Sequence, residues 1–358
     1  DSRQSAAILA RDMTKIADNE SFRKAIFMAM NKIYDISQTN ELSLNFLYPA
    51  FVEVCVENKL RFFYGNELDK FEQDKLKLTK LIERNRKLGR KTNYNRLQSE
   101  LNTPCQMYQA DLIELFCSPT INFQNLGLGY IAPISEKLDD ILYDLDIPGL
   151  TQEEFIKIFL AFVTQTCTDS FCFDNTVAEN VRKEVRYIKG NRYGFKNYEI
   201  YVNPEIKKKY PNDYERIYAI IVEEFYRKEG EFYFLNLQSV KIVLTSDDKK
   251  WYRCSKCGSI HPFKIAGKCA ICGNEKIYEE YANDIRKIDY WRKPIVGSDT
   301  IKSLNTEEHT AQLSFKDQKI STWARTEDYE MRFQDINVER ISKTPIDILS
   351  CTTTMEVG

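Results

Sequence analysis

Apolar positions recur at helical spacing in several separate stretches of the chain. Ala6, Ala7, Ala10 and Met13 predict a helix near the start, with Asp1 or Ser2 as its cap. Phe22, Ile26, Ala29 and Ile33 fall on one stripe and predict a second helix over 22–36. A further apolar segment fills 41–64, punctuated by Ser43, Pro49 and Gly65. Ser135 is placed to cap a short helix carrying Leu138, Ile141, Leu142 and Leu145. Thr151 and Glu154 have capping-box spacing, and behind them Phe155, Ile158, Phe159, Phe162 and Val163 form a stripe that reads as core. The period then changes to two: Phe232 and Phe234, then Val240, Ile242 and Leu244, predict two short strands. A last apolar β-type run, 346–351, ends in a hydroxyl-rich turn.

Composition sets bounds on this pattern. The chain has 358 residues, enough for two to three domains, and 43% hydrophobic residues, enough for a sizeable core. The net charge of -2 carries no sign of nucleic acid, so any such surface has to be local. No apolar run approaches the length of a membrane span, which predicts a protein with no membrane partner. Six of the ten cysteines, Cys55, Cys105, Cys117, Cys167, Cys172 and Cys351, follow no framework spacing, as in a reducing cytoplasm. The chain opens on Asp1 and stops at Gly358, and both ends read as cut from a longer protein.

The other four cysteines carry the sharpest motif. Cys254 and Cys257 form one CxxC pair, and Cys269 and Cys272 form a second after eleven residues. Two such knuckles supply four thiolates to one tetrahedral Zn2+, and a closed four-sulfur site builds structure instead of catalysing. Gly258 and Gly273 follow the pairs, where positive φ eases the turn. His261 stands close by, but four cysteines leave it no place as a ligand.

Two stretches are basic. From Lys75 to Arg96 nine Lys and Arg residues face the single acid Glu83, on a helix that ends or bends at Gly89. Lys80, Arg84, Arg86, Lys87 and Arg90 there are candidates for phosphate contact, against the plainer reading of a solvated face. Residues 182–230 mix cations with Tyr187, Tyr193, Phe195 and Tyr198, then Lys207, Lys208, Lys209 and Tyr210, which fits either base stacking or an ordinary surface. The glycines of 125–130 lack the Lys-Ser/Thr of a phosphate loop.

Three pieces resemble one family. DSRQ at 1–4, EHTAQ at 308–312 and SCTTTMEVG at 350–358 are similar to segments of superfamily 2 DEAD/DEAH-type helicases. The wording is that of the bacterial subgroup of MrfA-like and DISARM/Druantia defence helicases. The resemblance covers the two ends, and the zinc region resembles that subgroup less sharply. It implies an α/β fold in which a RecA-like parallel-sheet lobe is split by a large, mostly α-helical insertion with a four-cysteine zinc ribbon. Residues 1–20 would start the lobe, 21–230 form the helical insertion, 231–298 the β segment and ribbon, and 299–358 the remainder of the lobe.

The resemblance also implies roles. Ser2, Arg3 and Gln4 match motif IV, near the tracked strand. Thr352, Thr353 and Thr354 match motif V and would bond backbone phosphates, with Glu356 and Gly358 linking that contact to the nucleotide cleft. Glu308, His309 and Gln312 would couple the two. The chain has neither GxxxxGK(S/T) nor a DEAH box, so no catalytic residue is expected here, and ATP and Mg2+ would bind elsewhere in the full-length protein. The expected function is part of an ATP-dependent DNA helicase or translocase in antiphage defence or DNA repair. Its partners would be a DNA single strand or duplex junction and other subunits of a defence complex. The competing expectation is a non-motor zinc-ribbon module that grips DNA or protein. A nuclease lacks a convincing carboxylate cluster.

Overall fold

A computed structural model describes residues 21–60, 62–63, 65–90, 92–101, 104–118, 122–170, 173, 177–183, 193–288, 295, 306–309 and 348–351. The chain divides into two compact units, one of Asp1–Phe22 with Thr300–Gly358, the other Arg23–Asp299. The architecture is mixed α/β, with small antiparallel sheets set among helices.

The helix α1 (21–37) starts in the smaller unit with Phe22 and continues in the larger one, and the expected stripe of Phe22, Ile26, Ala29 and Ile33 is buried. After β1 (Glu41–Leu42), α2 (Leu47–Glu57) buries every side from Leu47 to Cys55, so it runs through the core instead of along a surface. Pro49 is tolerated there because it lies in the first turn. Phe51 on α2 meets Phe62, Phe63 and Tyr108 in an aromatic cluster. Beside it runs α3 (Gly65–Lys87), which turns Phe71, Asp74 and Leu78 inward. The Tyr48 hydroxyl donates to the buried Asp74 carboxylate at 2.8 Å. The helix ends as Gly89 enters the left-handed region at φ 60, and the Arg90 N–H donates back to the Asn85 carbonyl at 2.9 Å. Two helices follow, α4 (Tyr94–Glu100) and α5 (Gln106–Cys117). The Glu67 carboxylate of α3 caps α5, accepting from the N–H groups of Gln106 and Met107.

Next come β2 (Gly129–Pro133), α6 (Leu138–Leu145) and α7 (Gln152–Ser170). Ser135 does not cap α6. A short 3-10 turn precedes that helix, and the Ser135 hydroxyl accepts from Lys241 instead. The box at the start of α7 is half formed. Thr151 Oγ1 accepts from the Glu154 N–H, but the Glu154 carboxylate is drawn off to Lys209 and Tyr210. The stripe Phe155, Ile158, Phe159, Phe162 and Val163 is buried throughout, and Phe162 packs edge-on against Phe195, Tyr201, Tyr218 and Tyr226.

A helical turn α8 (179–183), then α9 (Pro204–Lys209) and α10 (Tyr214–Phe225), lead to the hairpin β3 (Tyr226–Glu229) and β4 (Phe232–Leu235). The strand β5 (Val240–Leu244) then returns to the helical body and lies between β1 and β2, antiparallel to both. Gly129 is required at this junction, because a Cβ there would stand 2.2 Å from the Val243 carbonyl oxygen. Gly129 therefore serves strand packing, while Gly127 turns the chain before it at φ 68.

A second antiparallel sheet is built from β6 (Lys250–Cys254), β7 (Ile260–His261) and β8 (Ile277–Tyr281), in the order β7-β6-β8, followed by α11 (Ala282–Ile288). Within the smaller unit, β9 (Thr306–His309) and β10 (Ile348–Cys351) pair in parallel, with Ser350 opposite Glu308 and Cys351 opposite His309. The helix expected over Ala6–Met13 lies outside the described residues. No helix among the described residues is long and apolar enough to cross a membrane.

Candidate metal centre and its setting

Local backbone geometry brings the four cysteines together by repeating one turn. In each CxxC the glycine that follows donates its N–H to the first cysteine's carbonyl, Gly258 to Cys254 and Gly273 to Cys269, both at 3.0 Å. Those glycines sit at φ 71 and φ 66. Nothing stands near either Cα, so the demand is conformational and not steric. The first cysteine of each pair also donates its N–H to the carbonyl five residues on, Cys254 to Ser259 and Cys269 to Asn274. The result is two knuckles of the same shape facing each other.

The four sulfurs lie within 4.8 Å of one another. Cys254 and Cys272 are 3.6 Å apart and Cys257 and Cys269 3.7 Å, far beyond a disulfide bond of about 2.05 Å. A tetrahedron of sulfurs at about 2.3 Å from one zinc has edges of about 3.8 Å, so the spacing suits that ion. Charge argues the same way. Burial opposes the Cys254 thiolate, but the N–H groups of Cys257 and Lys256 and the Asn274 amide bring its thiol down to about 6. Burial pushes Cys257 up, and burial with the neighbouring thiols pushes Cys272 up to about 12. One thiolate is favoured and its neighbours resist a second negative charge; a dication at the centre removes that conflict.

His261 is no part of this cluster. Its ring is buried, and its Nδ1 lies 3.1 Å from Gln124 Nε2. Gln124 also donates to the Ile260 carbonyl and accepts from Thr164 of α7. Since Gln124 Nε2 donates, Nδ1 must accept, and the neutral ring carries its proton on Nε2. Gln124 therefore clamps β7 of the ribbon to the helical body. Other clamps join it. Asn203 donates to the Ala270 carbonyl at 2.7 Å inside the second knuckle. Arg286 of α11 donates through Nη2 to the carbonyls of Gly127 and Thr245 at 2.9 and 2.6 Å, and pairs with Asp247. Trp251, Ile260, Ala282 and Ile285 fill the space between, against Tyr130 of β2. These contacts dock the ribbon on the body.

Burial pushes the His261 imidazole down to about 4 from its ordinary value near 6.5. A depressed imidazole pKa means that the unfolded chain binds the proton more readily than the folded one below pH 6.5. The contribution is fully present above pH 6.5 and is lost as pH falls toward 4, up to about 3 kcal/mol. Urea melts of wild type and His261→Asn at pH 7 and pH 5 should converge at the lower pH. A gap between them that stays constant with pH would show that this ring does not titrate with unfolding.

The base-aromatic mixture of 182–230 is divided: Lys183, Lys196, Lys207, Lys208 and Lys209 are exposed, while Arg182, Phe195 and Tyr210 are buried. Arg182 is 2% exposed, pairs with Glu229 at 2.9 Å and stacks over Phe234 at 4.5 Å. Phe195 is buried, while Lys196 pairs with Glu231 and Lys209 with Glu154. Nothing in this group offers a row of free rings for bases; Arg186, Tyr187, Lys189 and Arg192 lie outside the described residues. Lys80, Arg84, Arg86 and Lys87 sit on the second half of α3, with Arg90 just past its end, and all five are exposed. Glu308 and His309 are in β9; Ser2, Arg3, Gln4, Gln312, Thr352, Thr353, Thr354, Glu356 and Gly358 lie outside the described residues. The clamps of Gln124, Asn203 and Arg286 escaped the sequence reading. Gly127 and Gly129 were visible as a glycine pair, but their partners are more than a hundred residues away.

No family model matches the chain, and no solved structure matches it. Among curated proteins it is similar to the Druantia protein DruE of Escherichia coli (strain UMEA 4076-1). The two are 29% identical over 376 aligned residues, which take in 100% of this chain and 20% of the relative. The chain thus spans about a fifth of the length of the relative it matches.

Proposed function

We propose that this chain is part of an ATP-driven DNA translocase that works in antiphage defence, with DNA repair as the related setting. The observation that carries the reading is the parallel pairing of β9 with β10. It aligns the EEH of 307–309 with the LSC of 349–351, the two segments that resemble helicase sequence around motif V. Parallel strands that end in a hydroxyl-rich turn are the usual place for ligands in open α/β sheets. Similarity to DruE along the whole chain points to the defence setting and to other subunits as partners in the cytoplasm.

In this reading residues 1–20 and 299–358 belong to one RecA-like lobe, and the body and ribbon between them are its insertion. Thr352, Thr353 and Thr354 hold strand phosphates through hydroxyl and N–H groups. Glu356 and Gly358 link that grip to the nucleotide cleft. Ser2, Arg3 and Gln4 lie near the tracked strand, and Glu308, His309 and Gln312 transmit between strand and cleft. ATP and Mg2+ are held by other parts of the full-length protein. Zn2+ sits in the four-cysteine cluster as a structural ion, its coordination closed by sulfur.

The test is DNA-stimulated ATP hydrolysis by the full-length protein. Losing one hydroxyl bond to a phosphate costs about 1 kcal/mol in a bound state and somewhat more in a strained one. Thr353→Ala should therefore lower the stimulation by about tenfold while most DNA affinity remains. A full-length protein that binds DNA but hydrolyses no ATP would favour the non-motor zinc-ribbon module.

A further inference from the structure

The second half of α3 presents a line of cations on one face. Lys77, Lys80, Arg84 and Lys87 follow each other at intervals of three, four and three residues, which keeps them on one face of the helix. All four are exposed, while Leu78 on the opposite side is fully buried. Ten residues of helix make the line about 15 Å long. Among the described residues, no ion pair or side-chain hydrogen bond reaches any of the four. Several lysines elsewhere on the body do have acidic partners: Lys75 has Glu72, Lys137 Glu224, Lys157 Glu153, Lys209 Glu154 and Lys241 Glu41.

Arg84, Arg86 and Lys87 also complement the helix dipole, since they lie in its last turn. That accounts for neither Lys77 nor Lys80, which lie further back. Arg86 points about 100° away from Lys87 around the helix and stands off the line. The line has no aromatic ring, so it lacks the platform on which single-stranded bases stack. Leu76 and Leu88, its exposed apolar neighbours, stand at opposite ends about 18 Å apart and form no shared patch for a protein partner. An evenly charged rod is the complementary surface.

We propose that Lys77, Lys80, Arg84 and Lys87 form a ridge that holds the phosphate backbone of duplex DNA, independently of sequence and apart from the translocating lobe. The inference rests on the reading of the chain as part of a DNA motor and adds a second grip to it. Because the ridge lies on the insertion, it adds affinity without entering the ATP cycle.

The experiment measures duplex binding by the full-length protein across a salt series, beside DNA-stimulated ATP hydrolysis at saturating DNA. Each phosphate contact contributes about 0.9 to the slope of log affinity against log salt, so reversing Lys80, Arg84 and Lys87 to Glu should flatten it by about 2.7. The triple Gln variant, milder for folding, should flatten it by the same amount and keep the wild-type melting temperature. ATP turnover at saturating DNA should stay at the wild-type value in both. An unchanged slope in a folded variant, with ATP turnover intact, overturns the ridge and leaves the motor reading standing. In that case the cations face an acidic protein instead. Loss of ATP turnover at saturating DNA also overturns it, by placing these residues in the motor itself. A wild type that hydrolyses ATP without any response to DNA overturns the motor reading first, and the ridge with it.

Discussion

Cys254→Ser should cost the protein its metal and with it the ribbon, the largest effect expected of any single substitution described here. Four-thiolate zinc sites contribute an apparent binding free energy of roughly 10–16 kcal/mol in small peptides. That is comparable with the whole net stability of a domain, about 5–15 kcal/mol. Cys254 closes β6, and Trp251 three residues earlier is fully buried against Ile260, Ala282 and Ile285. Loss of the metal should therefore carry away the packing on Tyr130 and loosen the nearby β2. It should leave α2 and α5 alone, since their core is the separate cluster around Phe51 and Tyr108. Hydrogen exchange is the measure. Protection should vanish over 250–288 and persist over 47–57, and a chelator should reproduce the pattern in the wild type. Metal analysis finding well under one zinc per folded chain would remove the basis of this expectation.

Arg286→Ala should come second. Arg286 is 8% exposed, and its guanidinium serves the Gly127 carbonyl twice, at 3.1 Å from Nε and 2.9 Å from Nη2, as well as the Thr245 carbonyl. Burial lowers its pKa, with Asp247 opposing, but an arginine stays charged. Truncation leaves the Thr245 carbonyl without its donor and the Gly127 carbonyl with only the Thr245 hydroxyl, at the seam between β5, the Gly127 turn and α11. An unsatisfied buried acceptor costs about 1–3 kcal/mol, so a loss of about 3 kcal/mol is expected in thermal or urea unfolding. Asp247→Asn is the control. The Asp247 side chain is 69% exposed, and such a pair contributes well under 1 kcal/mol. Equal losses for the two variants would mean that the ion pair and not the carbonyl cradle holds this seam.

Both residues illustrate how unevenly the site was legible. Cys254 could be read directly, because its partners sit three, fifteen and eighteen residues away and the turn chemistry is local. Arg286 was one charge among many in a run of charged residues, and its carbonyl acceptors lie 41 and 159 residues off. Arg182 misled in the opposite sense. It stood in a basic, aromatic stretch that reads as surface, and it is buried under Phe234, where its Nη1 donates to the Phe173 carbonyl and its Nη2 to Glu229.

The sequence by itself determined whatever depends on spacing along the backbone. The helical stripes of Phe22–Ile33 and Phe155–Val163 had to face inward, since a 3.6-residue period leaves no other way to bury them. Gly89 had to end α3 and Gly258 and Gly273 had to turn the knuckles, since positive φ is nearly free only for glycine. The two CxxC pairs had to meet, since each presents its sulfurs the same way. Only the tertiary structure decided which surfaces those local units would share. It placed β5 between β1 and β2, put the Gln124 side chain against His261, and left the Lys77–Lys87 line without an ion pair among the described residues while pairing Lys75 on the same helix with Glu72. Such choices are made by contacts between segments far apart in the chain, where packing and hydrogen-bond satisfaction outweigh any preference a residue carries alone.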